Sequence, residues 1–214
     1  MNLPIAYDCA FKTGDFEPIS VFKDEKSGIV VHLGLCDTYQ IVQIDPSNNV
    51  PDWITDFKFH MRRFRVPGYA RHDSPIRVHS GYLDAWEKIR DSVLKLTVCQ
   101  NMLVTGFSMG GGLSSIIAVD IQYNCSPHNL ICVDFDGPKV WNKAGRDSYN
   151  HRVPNTIKIV NGNDIVTKIP PFCYHGGKTV HIGNASKFWK FSVKDHIAMM
   201  DKNKIRPMLP VEEL

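Results

Sequence analysis

The chain has no hydrophobic run approaching the ~18 residues needed to span a bilayer. Its first residues, Met1-Asn2-Leu3-Pro4-Ile5-Ala6-Tyr7-Asp8, carry no basic segment, and Pro4 and Asp8 break the short apolar stretch, so no secretory signal is read there. Closely spaced cysteine pairs, as a zinc site requires, are also missing: Cys9, Cys36, Cys99, Cys125, Cys132 and Cys173 are scattered. Six cysteines allow disulfides, but without a signal segment reduced, mostly buried thiols and a cytoplasmic setting are the expectation. Charge of one sign is scarce. Lys and Arg number 25 against 22 Asp and Glu, a net +3 that is too mild to indicate nucleic acid as a partner. Internal repeats, low-complexity tracts and Pro/Gly/Ser-rich linkers are lacking as well. At 214 residues the chain can bury a substantial core, and one domain over residues 1–214 is expected.

What is present alternates between two periodicities. The runs from Gly28 to Leu35 and from Tyr39 to Ile44 flank Cys36-Asp37-Thr38 and read as a hairpin of strands. Phe57-Lys58-Phe59-His60-Met61 has the period-two pattern of a half-buried strand. From Tyr82 to Leu96, apolar Leu83, Trp86, Ile89, Val93 and Leu96 recur every three or four residues, which predicts an amphipathic helix. Met102-Leu103-Val104-Thr105 is a buried strand followed directly by a helix with Leu113, Ile116, Ile117 and Ile121 on one side. Leu130 to Phe135 and Thr156 to Val160 are further short strands. Alternating strands and helices predict an α/β fold, an open and mostly parallel sheet with helices on both faces.

At the join of the central strand and its helix stands Gly106-Phe107-Ser108-Met109-Gly110. A Gly-x-Ser-x-Gly turn between a strand and a helix is the context of a nucleophile elbow. The turn is so tight that side chains two residues either side of the serine would meet neighbouring backbone, so glycines stand there. The serine is forced into a sparsely populated conformation with its hydroxyl clear of the sheet, and the helix N-terminus behind it favours developing negative charge. The plainer reading is a glycine-rich turn that cradles phosphate. A P-loop needs Lys after the glycines, and Leu113 occupies that place.

These residues resemble the class 3 lipases, the fungal-type triacylglycerol lipases of the α/β-hydrolase superfamily. Asp52-Trp53-Ile54-Thr55-Asp56 is similar to that family's Asp-Trp-x-x-Asp segment, and Val78-His79-Ser80-Gly81-Tyr82 to its Val-His-x-Gly-aromatic start of the helix before the nucleophile strand. Phe135-Asp136-Gly137-Pro138-Lys139-Val140 is similar to its Phe-Gly-x-Pro-Arg-Val strand end. Asn161-Gly162-Asn163-Asp164-Ile165-Val166 with Ile169-Pro170-Pro171 is similar to its Asn-x-x-Asp-x-Val and Leu-Pro-Pro segments. The set, in order, spans roughly residues 28 to 196. Departures are Phe107 and Met109 where the family usually has His and Leu, and Ile44-Asp45-Pro46-Ser47 in place of an aromatic-Arg-Gly-Thr/Ser stretch. An acidic Asp45 there would oppose an oxyanion or shift substrate choice.

The resemblance implies an α/β-hydrolase fold and a serine esterase or lipase acting on lipid or acyl esters through an acyl-enzyme on Ser108, with neither cofactor nor metal. A serine hydroxyl needs a base, itself oriented by an acid, in the chain order Ser, Asp or Glu, His. Histidines after Ser108 are His128, His151, His175, His181 and His196; position and resemblance favour His196, with His181 as a structural strand histidine. Asp164 matches the family's acid, with a turn-forming aspartate as its bland alternative and Asp134 and Asp136 as rivals. The Met109 N–H is one oxyanion donor by elbow geometry, and Ser47 is the second by resemblance. Asn48 to Ile54 occupies the place of the family's lid, where Val50, Trp53 and Ile54 either cover an acyl groove or belong to the core. Basic Lys58, Arg62, Arg63, Arg65, Arg71 and Arg77 interleave with Phe59, Phe64 and Tyr69, and Phe188-Trp189-Lys190-Phe191 precedes His196. Such a mixture suits transient association with an anionic membrane surface, or is a solvated face above a strand. A catalytically weak lipase-like binding module and a soluble short-chain carboxylesterase are the alternative functions.

Overall fold

Short β-branched and aromatic runs can bury both faces only inside a sheet covered by helices, and the chain builds that arrangement. The computed structural model describes residues 1–14, 16–46, 60–65, 75–184, 191–211 and 214. A seven-stranded sheet has the order β1 (Glu17–Asp24), β2 (Ile29–Cys36), β3 (Tyr39–Ile44), β6 (Asn101–Phe107), β7 (Asn129–Phe135), β8 (Thr156–Asn161), β9 (Lys178–Ile182). The first three strands are antiparallel, and from β3 onward every neighbour is parallel. Strands β4 (Met61–Arg63) and β5 (Arg77–His79) form a separate antiparallel ribbon. Of the strand expected over residues 57–61, Met61 begins β4, and residues 57–59 lie outside the described residues.

Alternation along the central strands divides the core into two layers. Val42, Ile44, Met102 and Val104 face helices α2 (Ser80–Lys95), α3 (Met109–Asn124) and α4 (Lys143–Arg152). Ile41, Leu103, Phe107, Ile131, Val133 and Phe135 face α1 (Leu3–Ala10) and the C-terminal residues Met199, Ile205 and Leu209. Helix α3 is buried almost all round from Met109 to Ile121, as expected of a helix clamped between a sheet and two other helices.

Pro4 sits in the first turn of α1, where its missing N–H costs nothing, and the Asn2 side chain accepts from Ile5 N–H at 3.0 Å to start the helix. Two local expectations are corrected. Leu96 follows the end of α2 and is 43% exposed; its carbonyl accepts from the Gln40 side chain at 2.7 Å instead of packing inward. Phe64, read as part of a basic-aromatic surface, is buried edge-on against Trp141, ring centres 5.1 Å apart. No helix among the described residues is long and apolar enough to cross a membrane, and none of the six cysteines is in a disulfide.

Helices α2 and α3 are joined by one buried carboxylate. Asp120 accepts from the Trp86 indole N–H at 2.7 Å and from two guanidinium nitrogens of Arg90, the second at 2.9 Å. Asp120→Ala leaves the indole N–H without an acceptor and the guanidinium without its counter-charge. It is expected to destabilise the fold by about 3 kcal/mol, read as a lowered urea midpoint at unchanged slope.

Candidate active site

The site grows from one backbone constraint. Between β6 and α3, Ser108 adopts φ 57° and ψ −123°, a conformation that L-residues avoid. A Cβ on Gly106 would lie 2.6 Å from the Gly110 carbonyl carbon, and one on Gly110 would lie 2.4 Å from the Ile44 carbonyl oxygen. Glycine at both places is what lets the turn press against the end of β3. Ser108 N–H donates to the Phe135 carbonyl at 3.0 Å, which ties the elbow to the neighbouring parallel strand.

Two further residues converge on the serine from the following strand and its loops. Asp164 lies three residues beyond β8; its N–H donates to the Asn161 carbonyl and its Oδ1 accepts from Val166 N–H at 2.8 Å. His196 is on the short helix α5 (Val193–Ala198), begun by the Ser192 side chain, which accepts from Asp195 N–H at 2.9 Å. Asn161 Nδ2 donates to the Asp195 carbonyl at 2.8 Å and Asn163 N–H to the Asp195 carboxylate at 2.8 Å, so α5 is pinned to the loop carrying Asp164. The result is a chain of contacts: His196 Nδ1 to Asp164 Oδ2 at 2.7 Å, and His196 Nε2 to Ser108 Oγ at 2.9 Å. A carboxylate only accepts, so Nδ1 carries the proton and Nε2 is free to accept from the hydroxyl. All three side chains are fully buried. The Phe107 ring stacks on the imidazole at 4.7 Å and 25°, fixing its plane. Sequence reading had noted Phe107 only as a departure from the family pattern.

The other candidates are placed elsewhere. His181 is exposed on β9, and His128 and His151 are exposed. Burial, with nearby lysines, holds His175 well below its ordinary value, and its ring N–H donates to the Thr167 carbonyl at 2.7 Å. Asp134 forms a buried ion pair with Lys158 at 2.7 Å. Asp136 lies beside Asp164: carboxylate oxygens of both and a ring nitrogen of His196 all fall within 4.8 Å of one another. That spacing would also admit a metal ion. Here both ring nitrogens of His196 are instead engaged by Asp164 and Ser108.

Met109 begins α3, so its N–H is one of the first-turn amides that have no acceptor within the helix. Ser47 lies outside the described residues, as does Asn48 to Ile54. Asp45, two residues before Ser47, is not a bare charge facing the site. It accepts from Lys12 at 2.7 Å, His32 at 3.1 Å and Gln43 at 3.0 Å. Burial works to raise its carboxyl, but these hydrogen bonds prevail and hold it at about 2.

Comparison with known proteins gives the same outline. The sequence model of the family "Lipase (class 3)" matches residues 41–174. A secreted mono- and diacylglycerol lipase of Fusarium solani is 23% identical over 141 residues, covering 63% of this chain and 40% of that protein. Among solved structures, the triacylglyceride lipase of Rhizomucor miehei superposes with a TM-score of 0.73 at 20% identity, covering 84% of this chain and 78% of that one. A triacylglycerol lipase from Penicillium expansum also gives 0.73, at 15% identity over 96% of this chain and 88% of that one. The structural likeness establishes the α/β-hydrolase fold. The chain spans two fifths or less of the sequence relatives it matches.

The Asp45 cluster has a titration consequence. Its folded value lies below the ordinary carboxylate range, so the stability it contributes is present above about pH 4 and is lost as pH falls toward its folded value. Asp45→Asn is expected to flatten that part of the acid unfolding curve, and an unchanged curve between those limits would contradict the assignment.

Proposed function

Because the chain belongs to the class 3 lipase family, we propose that it is a serine hydrolase cleaving carboxylic ester bonds of lipids or acyl esters, with Ser108 as nucleophile, His196 as base and Asp164 as the orienting acid. The observation that carries this reading is the unbroken relay from Asp164 through His196 to Ser108, at 2.7 and 2.9 Å. Ser108 Oγ attacks the ester carbonyl carbon while His196 Nε2 takes its proton. The tetrahedral oxyanion is met by the Met109 N–H and by Ser47, each such donor contributing ~3 kcal/mol. Collapse breaks the C–O bond to the alcohol, which leaves with the proton from His196, and water repeats the sequence to free the acid and the serine. Asp164 keeps the proton of neutral His196 on Nδ1 and stabilises the imidazolium without itself taking a proton. A lipase-like module that only binds lipid has no need of a serine, histidine and aspartate in hydrogen-bonded register.

Ser108→Ala is expected to abolish p-nitrophenyl ester hydrolysis and fluorophosphonate labelling while leaving circular dichroism unchanged. His196→Ala should cost on the order of 10⁴-fold in kcat, whereas His181→Ala should leave kcat near wild type. Undiminished turnover in folded Ser108→Ala would overturn the central assignment.

The substrate is proposed to lie in a lipid surface of anionic character. Arg63 and Arg77 face each other directly across β4 and β5, and Arg65 lines the same cavity, with Arg62 held by Asp84 at 2.6 Å. Phe191, just before α5, is exposed. Each basic residue near an anionic surface contributes about 1 kcal/mol, screened by salt beyond roughly 8 Å. Sedimentation with phosphatidylserine vesicles should fall with added salt, and Arg63→Glu with Arg77→Glu should lower it further without affecting a soluble short-chain ester. Salt-independent turnover of both substrates would make a soluble carboxylesterase the better description.

A further inference from the structure

Asp136 is a buried carboxyl group that the reaction above does not use. It follows β7 with φ 49°, a left-handed conformation that favours glycine, and the family pattern has glycine at this strand end. Its side chain is fully buried. Oδ1 accepts from Asn161 N–H at 2.9 Å, and Oδ2 has no hydrogen-bond donor among the described residues. The oxygen without a donor belongs to a carboxyl group within 4.8 Å of the Asp164 carboxylate and of a His196 ring nitrogen.

Two ionised carboxylates cannot share so small and dry a space; one of them holds a proton. The donors decide which. Asp164 accepts from Val166 N–H at 2.8 Å on Oδ1 and from His196 Nδ1–H at 2.7 Å on Oδ2, so both of its oxygens already have donors. Asp136 has the single backbone donor, Asn161 N–H. The other titratable groups facing it are Lys158 on β8, which is paired with Asp134 at 2.7 Å and bonded to the Gly137 carbonyl at 2.6 Å, and His196 on α5.

We propose that Asp136 is a positioning residue for the triad: its carboxyl O–H donates from Oδ2 to Asp164 and holds the acid in the orientation that serves His196. Burial first, and then the charge of Asp164, hold the Asp136 carboxyl well above the usual carboxylate range, against the weaker pull of Asn161 N–H and Lys158. The proposed O–H requires the proton to stay on Asp136 at neutral pH. The bond neither forms nor breaks during turnover. It is a fixed donor to Asp164, grouped with Asp164 and the imidazole but with no contact to the Ser108 hydroxyl. The inference rests on the hydrolytic reading only for its effect on turnover.

Two variants separate the donor from the space it fills. Asp136→Gly removes the carboxyl and suits the left-handed backbone, so the fold is retained. Asp136→Asn keeps an acceptor for Asn161 and supplies an uncharged N–H donor to Asp164. A hydrogen bond to a charged group is stronger than one between neutral groups, so Asp136→Gly should lower kcat about tenfold with KM little changed, and Asp136→Asn should recover most of that loss. Infrared difference spectra of wild type against Asp136→Asn should show the carbonyl stretch of a protonated carboxylic acid at neutral pH.

Stability supplies a readout of the Asp136 proton itself, separate from turnover. The folded value of Asp136 is raised, so the stability it contributes is fully present below about pH 4 and declines as pH rises toward the folded value. Asp136→Asn has no such proton. Its melting temperature should therefore gain on wild type steadily from about pH 5 to about pH 8. A gap that stays flat with pH, the lack of the acid carbonyl band, or wild-type kcat in Asp136→Gly overturns the proposal. The spectra and the melting gap are read without substrate, so failure of the hydrolytic assignment and failure of this one are distinguishable.

Discussion

The positive φ of Ser108 is the constraint around which the rest of the molecule is arranged. A non-glycine residue held there costs on the order of 1–3 kcal/mol and persists only when its surroundings over-determine it. Here they do. Strand β6 lies mid-sheet between β3 and β7, the Phe135 carbonyl takes the Ser108 N–H, and Gly106 and Gly110 allow backbone contact with the end of β3. Helix α3 must then leave the turn in one direction, into the apolar space between the sheet, α2 and α4. Its burial on almost every side, from Met109 to Ile121, supplies the packing that holds the strained residue in place.

The same sheet brings the polar chemistry to one edge. Parallel strands β6, β7 and β8 end side by side, and the residues just beyond them are Ser108, Asp136 and, after a short turn, Asp164. Ligand and reaction sites of α/β sheets lie beyond the carboxyl ends of the strands for this reason. Grouping acids in so dry a place raises the cost of each charge, and the structure answers each in a different way. Asp134 has Lys158, Asp164 has two donors, and Asp136 has a neutral form. Asp45, nearer the rim, is compensated by Lys12, His32 and Gln43. That distribution leaves no uncompensated negative charge at Asp45.

Helices and buried strands were legible because their periodicity is local: Leu83, Trp86, Ile89 and Val93 mark one face of α2 whatever surrounds them. The hairpin of β2 and β3 and the strand-serine-helix join were readable on the same grounds. Edge strand β1 left little trace, since five of its eight positions face solvent and its pattern carries little apolar contrast. Phe64 looked like a surface aromatic because it stands among arginines, and Trp141, far along the chain, is what buries it.

By itself, then, the sequence determined the alternation of elements, the α/β class, the elbow at Ser108 and the family to which its ordered motifs belong. Tertiary structure decided which aspartate meets which histidine: Asp164 and His196 are 32 residues apart, and His196 and Ser108 are 88 apart. It also decided that Phe107 stacks on the imidazole, that Asp45 is compensated and that Asp136 lies against Asp164. The physical reason is range. Propensity, capping and periodicity act over a few residues. A hydrogen bond at 2.7 Å, or a carboxyl deprived of water by residues from three strands, exists only after the sheet has brought distant segments together.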